Sequence, residues 1–124
     1  MQFDSVITFF CTLDMEACHR YYGETLELPL ILDQGGCRIY RAAGDACIGF
    51  CLKTEIQPAE SVILTLVTDD VDQWFERVSK AGYEVIKTPA HTPEYKIYNC
   101  FVRDPSGYTV EIQRFEDHRW PQKN

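Results

Sequence analysis

Few side chains in this 124-residue sequence are placed where they could do chemistry. One is Glu111, a carboxylate among apolar neighbours in YTVEIQRF, directly after the turn DPSG. A lone carboxylate on a strand can orient a cationic or hydrogen-bond-donating ligand, act as a general base once desolvation raises its pKa, or supply one metal ligand. The competing reading is scaffolding, with Glu111 hydrogen-bonded to a neighbouring strand or to Tyr98. The three histidines offer little support for chemistry: His19 falls in a helical pattern, His91 in the loop PAHTPE and His118 in the tail. Six cysteines, Cys11, Cys18, Cys37, Cys47, Cys51 and Cys100, lie within hydrophobic periods, which reads as reduced, mostly buried thiols rather than a disulfide framework. Cys47 and Cys51 share one strand face about two pleats apart, too far to pinch a zinc ion. Cys11 and Cys100 have no neighbouring cation or base in sequence to activate them as nucleophiles.

The elements that must hold these residues come in two copies. SVITFFCTLD at 5–14 aligns with SVILTLVTDD at 61–70, with identities at Ser5/Ser61, Val6/Val62, Ile7/Ile63, Thr12/Thr68 and Asp14/Asp70. Each copy opens with a β-branched and aromatic run, as a strand requires. Asp14 and Asp70 then stand where an N-cap oxygen accepts from the first helical turn. The spacing predicts helices over 15–24 and 71–81, the second stopped by Gly82. Three short β-runs follow each helix: 28–33, 36–41 and 46–53 in the first copy, 83–88, 96–103 and 108–115 in the second. The unit is βαβββ, present twice, which predicts an α+β fold of two modules with curved mixed sheets and helices on their outer faces. The boundaries read as one domain over 1–124, with module one at about 3–54, module two at about 59–116 and a tail at 117–124.

Composition narrows the function classes. A formal charge of −7 excludes a nucleic-acid groove, which needs clustered Lys and Arg. The 45% hydrophobic content is enough for a packed interior. The N-terminus MQFDSVITFFCTLD lacks a basic n-region and a long apolar run, so the expectation is a cytoplasmic protein with no membrane partner.

The duplication, with TLDMEACHRYYGETLEL, TDDVDQWFERVSKAGYEV and the closing FVRDPSGYTVEI, resembles the vicinal oxygen chelate superfamily, which includes glyoxalase I, extradiol dioxygenases and the fosfomycin- and bleomycin-resistance proteins. The resemblance covers nearly the whole chain, up to about Phe115. It implies a ligand cup lined by the sheets, and a homodimer. In metal-dependent members, up to four side chains project into the cup from the first and last strands of each module. Glu111 falls on one such position. The repeat register and the turn glycines Gly44 and Gly107 put Ile7, Ile63 and Ile48 on the others, and isoleucine offers no lone pair to a metal. A register slip would substitute Thr8, Gly49 and Leu64, no better as ligands.

Pairing Arg103 with Tyr108 across the DPSG turn puts Cys100 opposite Glu111 and Tyr98 opposite Gln113, on one face. It turns Phe101, Val110 and Ile112 toward the helices. The expected ligand-binding set is then Glu111, Tyr98, Gln113, Phe9, Phe50, Cys100, Ile7, Ile48 and Ile63, with Cys11, Thr65 and Thr109 on the same lining. The resulting expectation is a metal-independent binding protein of the bleomycin-resistance type, without a cofactor, sequestering an aromatic or cationic small organic molecule. The alternative is a metal-dependent lyase, isomerase or dioxygenase with Glu111 as a ligand to a divalent metal.

Overall fold

The computed structural model describes residues 1–121, and the last part of the expected tail, 122–124, lies outside them. The chain divides into two compact units, Met1–Ala59 with Pro105–Gly107, and Glu60–Asp104 with the chain from Tyr108 onward. Each is a four-stranded mixed sheet with helix on one face, the α+β architecture that the repeat predicts. No helix among the described residues is long and apolar enough to cross a membrane.

In the first unit, β1 (Val6–Thr12), α1 (Met15–His19), β2 (Leu30–Asp33), β3 (Cys37–Ala43) and β4 (Ala46–Leu52) follow in order. The sheet order is β1-β4-β3-β2, with β1 parallel to β4 and the other pairs antiparallel. Asp14 caps α1 as expected, its Oδ1 accepting from the amides of Glu16 and Ala17 at 3.1 and 3.0 Å. The helix does not run to residue 24 as an α-helix. From Arg20 to Thr25 it is a π-helical turn, and there the His19 ring lies over Gly23, so close that a Cβ at residue 23 would meet it at 2.5 Å. His19 Nδ1 bonds the Tyr40 hydroxyl at 2.8 Å, fixing the ring in that place. The core beneath is aromatic: Phe50 lies 4.5 Å from Tyr22 and 5.9 Å from both Phe10 and Tyr40, centroid to centroid.

In the second unit, β5 (Ile63–Val67), α2 (Val71–Lys80), β6 (Val85–Thr92), β7 (Ile97–Arg103) and β8 (Thr109–Phe115) repeat the pattern, in sheet order β5-β8-β7-β6. Asp70 makes no side-chain cap. Its amide donates instead to Thr68 Oγ1 at 3.0 Å. Gly82, with φ +92°, ends the helix as expected. Strand β6 runs on through PAHT, which the sequence marks as loop, so His91 is a strand residue. β6 is an edge strand with two register shifts, and Pro89 sits there without breaking a central ladder. Val71, Val78, Cys100, Val102, Val110 and Ile112 are buried against one another between α2 and the sheet. Fully burying a side chain of this kind contributes about 2 kcal/mol, so this face is what holds the sheet to its helix.

In each unit one strand, β4 in the first and β7 in the second, lies one residue off the expected register. Asp104 is the cause in the second unit. Its amide donates to the Tyr108 carbonyl and its Oδ1 accepts from the Tyr108 amide, both at 2.9 Å. The turn therefore encloses three residues, Pro105, Ser106 and Gly107, and Arg103 pairs with Thr109 rather than Tyr108. Phe101 now faces Glu111 and Asn99 faces Gln113, while Cys100 pairs with Ile112 on the helix side. In the first unit the hairpin is shorter, pairing Ala43 with Ala46 across Gly44 and Asp45. Registering Gly44 with Gly107 therefore misplaces β4 by one residue. The parallel ladders give the correct correspondence: Thr65 pairs with Glu111 as Phe9 pairs with Gly49.

Candidate functional site

The helix-free face of the second unit carries a polar cluster built from four strands. β8 presents Thr109, Glu111, Gln113 and Phe115, because side chains alternate and Val110 and Ile112 occupy the helix side. β7 adds Ile97, Asn99 and Phe101, β6 adds Lys87 and Thr92, and β5 adds Thr65.

Glu111 is 9% exposed, and both its oxygens are held. Thr65 donates its hydroxyl to Oε1 at 2.8 Å, and Asn99 donates Nδ2–H to Oε2 at 2.8 Å. The Asn99 oxygen in turn accepts from Lys87 Nζ at 2.7 Å and from the Thr92 hydroxyl at 2.9 Å. Lys87 also donates to Thr92 Oγ1 at 3.1 Å, and its ammonium lies 5.9 Å from the Phe101 ring centre. A buried amide thus bridges an ammonium and a carboxylate, and the two charges dictate which way round it sits. The carboxylate keeps unshared lone pairs and the ammonium one uncommitted N–H. A cavity of about 520 Å3 opens beside these groups. Its walls are Tyr95, Ile97, Phe101 and Phe115, and its polar lining is Lys87, Thr92, Asn99, Glu111 and Gln113.

Glu111 and Gln113 of the expected set line this cavity. Tyr98 and Cys100 do not, because the one-residue register difference turns both to the helix side. The Tyr98 hydroxyl donates to Asp72 Oδ1 of α2 at 2.6 Å, and that bond raises its pKa. Cys100 is fully buried, and burial pushes its thiol up to about 11, with the Glu111 charge adding to the effect. Ile48 and Phe50 are likewise packed beneath the helix of the first unit. Ile7 and Phe9 lie on the helix-free face of that unit and Ile63 on that of the second, all three more than 40% exposed. Sequence reasoning missed Asn99, Lys87, Phe101 and Phe115. The signal for Asn99 was present in KIYNCFVR, where an amide stands inside an otherwise apolar and aromatic strand.

The donor set does not fit a metal of the kind that the superfamily resemblance implies. Around Glu111 stand a hydroxyl and an amide that both donate to it, and an ammonium that an added cation would repel. The corresponding pair in the first unit is Phe9 and Gly49, which offers no side-chain donor. Among the described residues, no three His, Cys, Asp or Glu side chains come together as a ligand set.

Comparison with known proteins gives three results. The profile of the Glyoxalase/Bleomycin resistance protein/Dioxygenase superfamily matches residues 4–112. No curated protein sequence matches the chain. Among solved structures, a glyoxalase-related enzyme from Fulvimarina pelagi superposes with a TM-score of 0.80 at 19% identity, covering 99% of this chain and 94% of its own. A glyoxalase/bleomycin resistance protein/dioxygenase family enzyme from Burkholderia phytofirmans PsJN gives 0.75 at 21% identity, covering 87% and 95%. A lactoylglutathione lyase from Agrobacterium tumefaciens gives 0.69 at 18% identity, covering 88% and 91%. At these identities the likeness shows a shared fold.

Proposed function

Taking as premise that the chain belongs to the Glyoxalase/Bleomycin resistance protein/Dioxygenase superfamily, we propose that it captures a small organic molecule without a metal, in the cavity beside Glu111. The observation that carries this reading is the Lys87–Asn99–Glu111 bridge, in which donors occupy the surroundings where a metal would need acceptors. Its chemistry specifies the ligand further than a lone carboxylate would. With Lys87 close by, the site is not a simple trap for cations. It suits a planar molecule that offers an acceptor to Lys87 and a donor to Glu111, with its apolar body against Phe101, Phe115 and Tyr95. The preformed bridge lowers the ordering cost of binding, because the polar groups already hold their positions. This reading assigns Glu111 the role of orienting the ligand and includes a cytoplasmic homodimer, whose subunit number sedimentation equilibrium would measure.

A thermal-shift screen of aromatic amides and heteroaromatic acids, run in excess chelator, tests the proposal. A ligand at about a hundred times its Kd should stabilise the protein by about 2.7 kcal/mol. The shift should vanish in Glu111→Gln and weaken in Lys87→Met. Binding that appears only after a divalent metal is added would overturn the reading.

A further inference from the structure

The thiols of the first unit take no part in the site proposed above, and three of them form a row. Cys11 on β1, Cys51 on β4 and Cys37 on β3 are successive register partners, so their side chains leave the same helix-free face. Cys37 and Cys51 are half-buried, neither sealed in the core nor fully open. The ladder fixes the type of pair that they make. Leu52 N–H donates to the Gly36 carbonyl at 2.8 Å, while the Cys37 carbonyl turns the other way and accepts from Gln34 N–H at 2.8 Å. Cys37 and Cys51 are therefore a non-hydrogen-bonded antiparallel pair. Such pairs hold their Cα atoms about 4.5 Å apart, with side chains at their closest. A disulfide spans Cα separations of about 4.4–6.8 Å, so the bridge needs no rearrangement of the strands. Burial first, then the neighbouring Cys51 thiol, raises the pKa of Cys37.

We propose that Cys37 and Cys51 form a redox-active dithiol that closes to a cross-strand disulfide by exchange with a low-molecular-weight disulfide, RSSR. The Cys51 thiolate attacks one sulfur of RSSR, forming a mixed disulfide and expelling RS−. Cys37, the thiol held protonated, then loses its proton and attacks the Cys51 sulfur, expelling the second RS−. The two cysteines lose two electrons, RSSR gains them, and the two thiol protons leave on two RSH. Cys47 does not compete, since Arg41 is its partner on β3 and Gly49 separates it from Cys51 along β4.

The test uses the full chain incubated with oxidised glutathione, quenched with an alkylating agent and digested with trypsin without reduction. Cleavage after Arg20, Arg38, Arg41 and Lys53 places Cys37 in peptide 21–38 and Cys51 in peptide 42–53. The expected product is these two peptides joined, at a mass about 2 Da below the sum of their thiol forms. Dithiothreitol should reverse the link, Cys47→Ser should retain it and Cys51→Ser should lose it. Absence of the link, a mixed glutathione adduct that persists on either cysteine, or a link from Cys51 to peptide 1–20 would overturn the proposal. Peptide 42–53 also holds Cys47, so tandem fragmentation of the joined wild-type peptides, which separates Cys47 from Cys51, decides the matter independently of how the variants fold.

Discussion

The two units repeat one plan, and the difference that bears on chemistry lies at one pair of positions. In the second unit, Thr65 on the first strand meets Glu111 on the last, and Asn99 and Lys87 extend the contact into a chain of opposite charges. In the first, the same ladder position pairs Phe9 with Gly49, and the Phe9 ring fills the space where a side chain on residue 49 would begin, 2.5 Å from its Cβ position. The same βαβββ frame thus supports a hydrogen-bonded polar site in one copy and an apolar stack in the other. The frame supplies positions, and the residue types placed on it decide whether a position does chemistry.

The comparison breaks most sharply at the bridging amide. Asn99→Leu leaves the Glu111 carboxylate and the Lys87 ammonium without their shared partner, the first buried and the second half-buried. It should cost about 3 kcal/mol in urea unfolding, and a loss below about 1 kcal/mol would show that the bridge contributes little. Alkaline pH probes the face behind it. The Cys100 thiol is raised to about 11 in the folded chain, against 9.0 for an ordinary cysteine. Below pH 9 both states keep the proton. Between about 9 and 11 the unfolded chain loses it first, so stability falls as pH rises, by on the order of 2 kcal/mol. Cys100→Val should remove that part of the slope, and an identical slope in the variant would contradict the assignment. Thr65→Val withdraws one donor from Glu111 and should cost about 1 kcal/mol by the same unfolding assay. An effect of similar size belongs to the other unit. Gly49→Ala pushes on a Phe9 ring that is 53% exposed and free to swing, so the cost should be about 1 kcal/mol and should disappear in a Phe9→Ala background. A larger penalty that Phe9→Ala does not relieve would mean that Gly49 is required for its backbone.

The repeat, the order of elements and the helix faces were legible because they rest on periodicity, which survives local irregularity. The site was legible only in its carboxylate. Glu111 announces itself as a charge among apolar residues, but the identity of its partners depends on register, and register turned on one aspartate. Asp104 closes a three-residue turn through its side chain, and nothing in DPSG states that the pairing starts at Thr109 rather than Tyr108. That single residue exchanged Tyr98 and Cys100 for Asn99 and Phe101. Lys87 was hidden for a second reason. It lies between two register shifts on an edge strand, where alternation along the sequence does not report which face a side chain takes. The π-helical turn after α1, where the His19 ring packs on Gly23, was equally invisible, since the spacing over 15–24 does not distinguish it from an α-helical turn.

The most direct test of the central claim is a heteronuclear NMR titration of the labelled protein with the best ligand from the chelator screen, reading which amide signals move. The account predicts that the perturbed residues centre on Asn99, Phe101, Glu111 and Gln113, that Phe9 and Gly49 stay still, and that added metal changes nothing. Shifts centred on Phe9 and Gly49, or shifts that require a divalent ion, would contradict it.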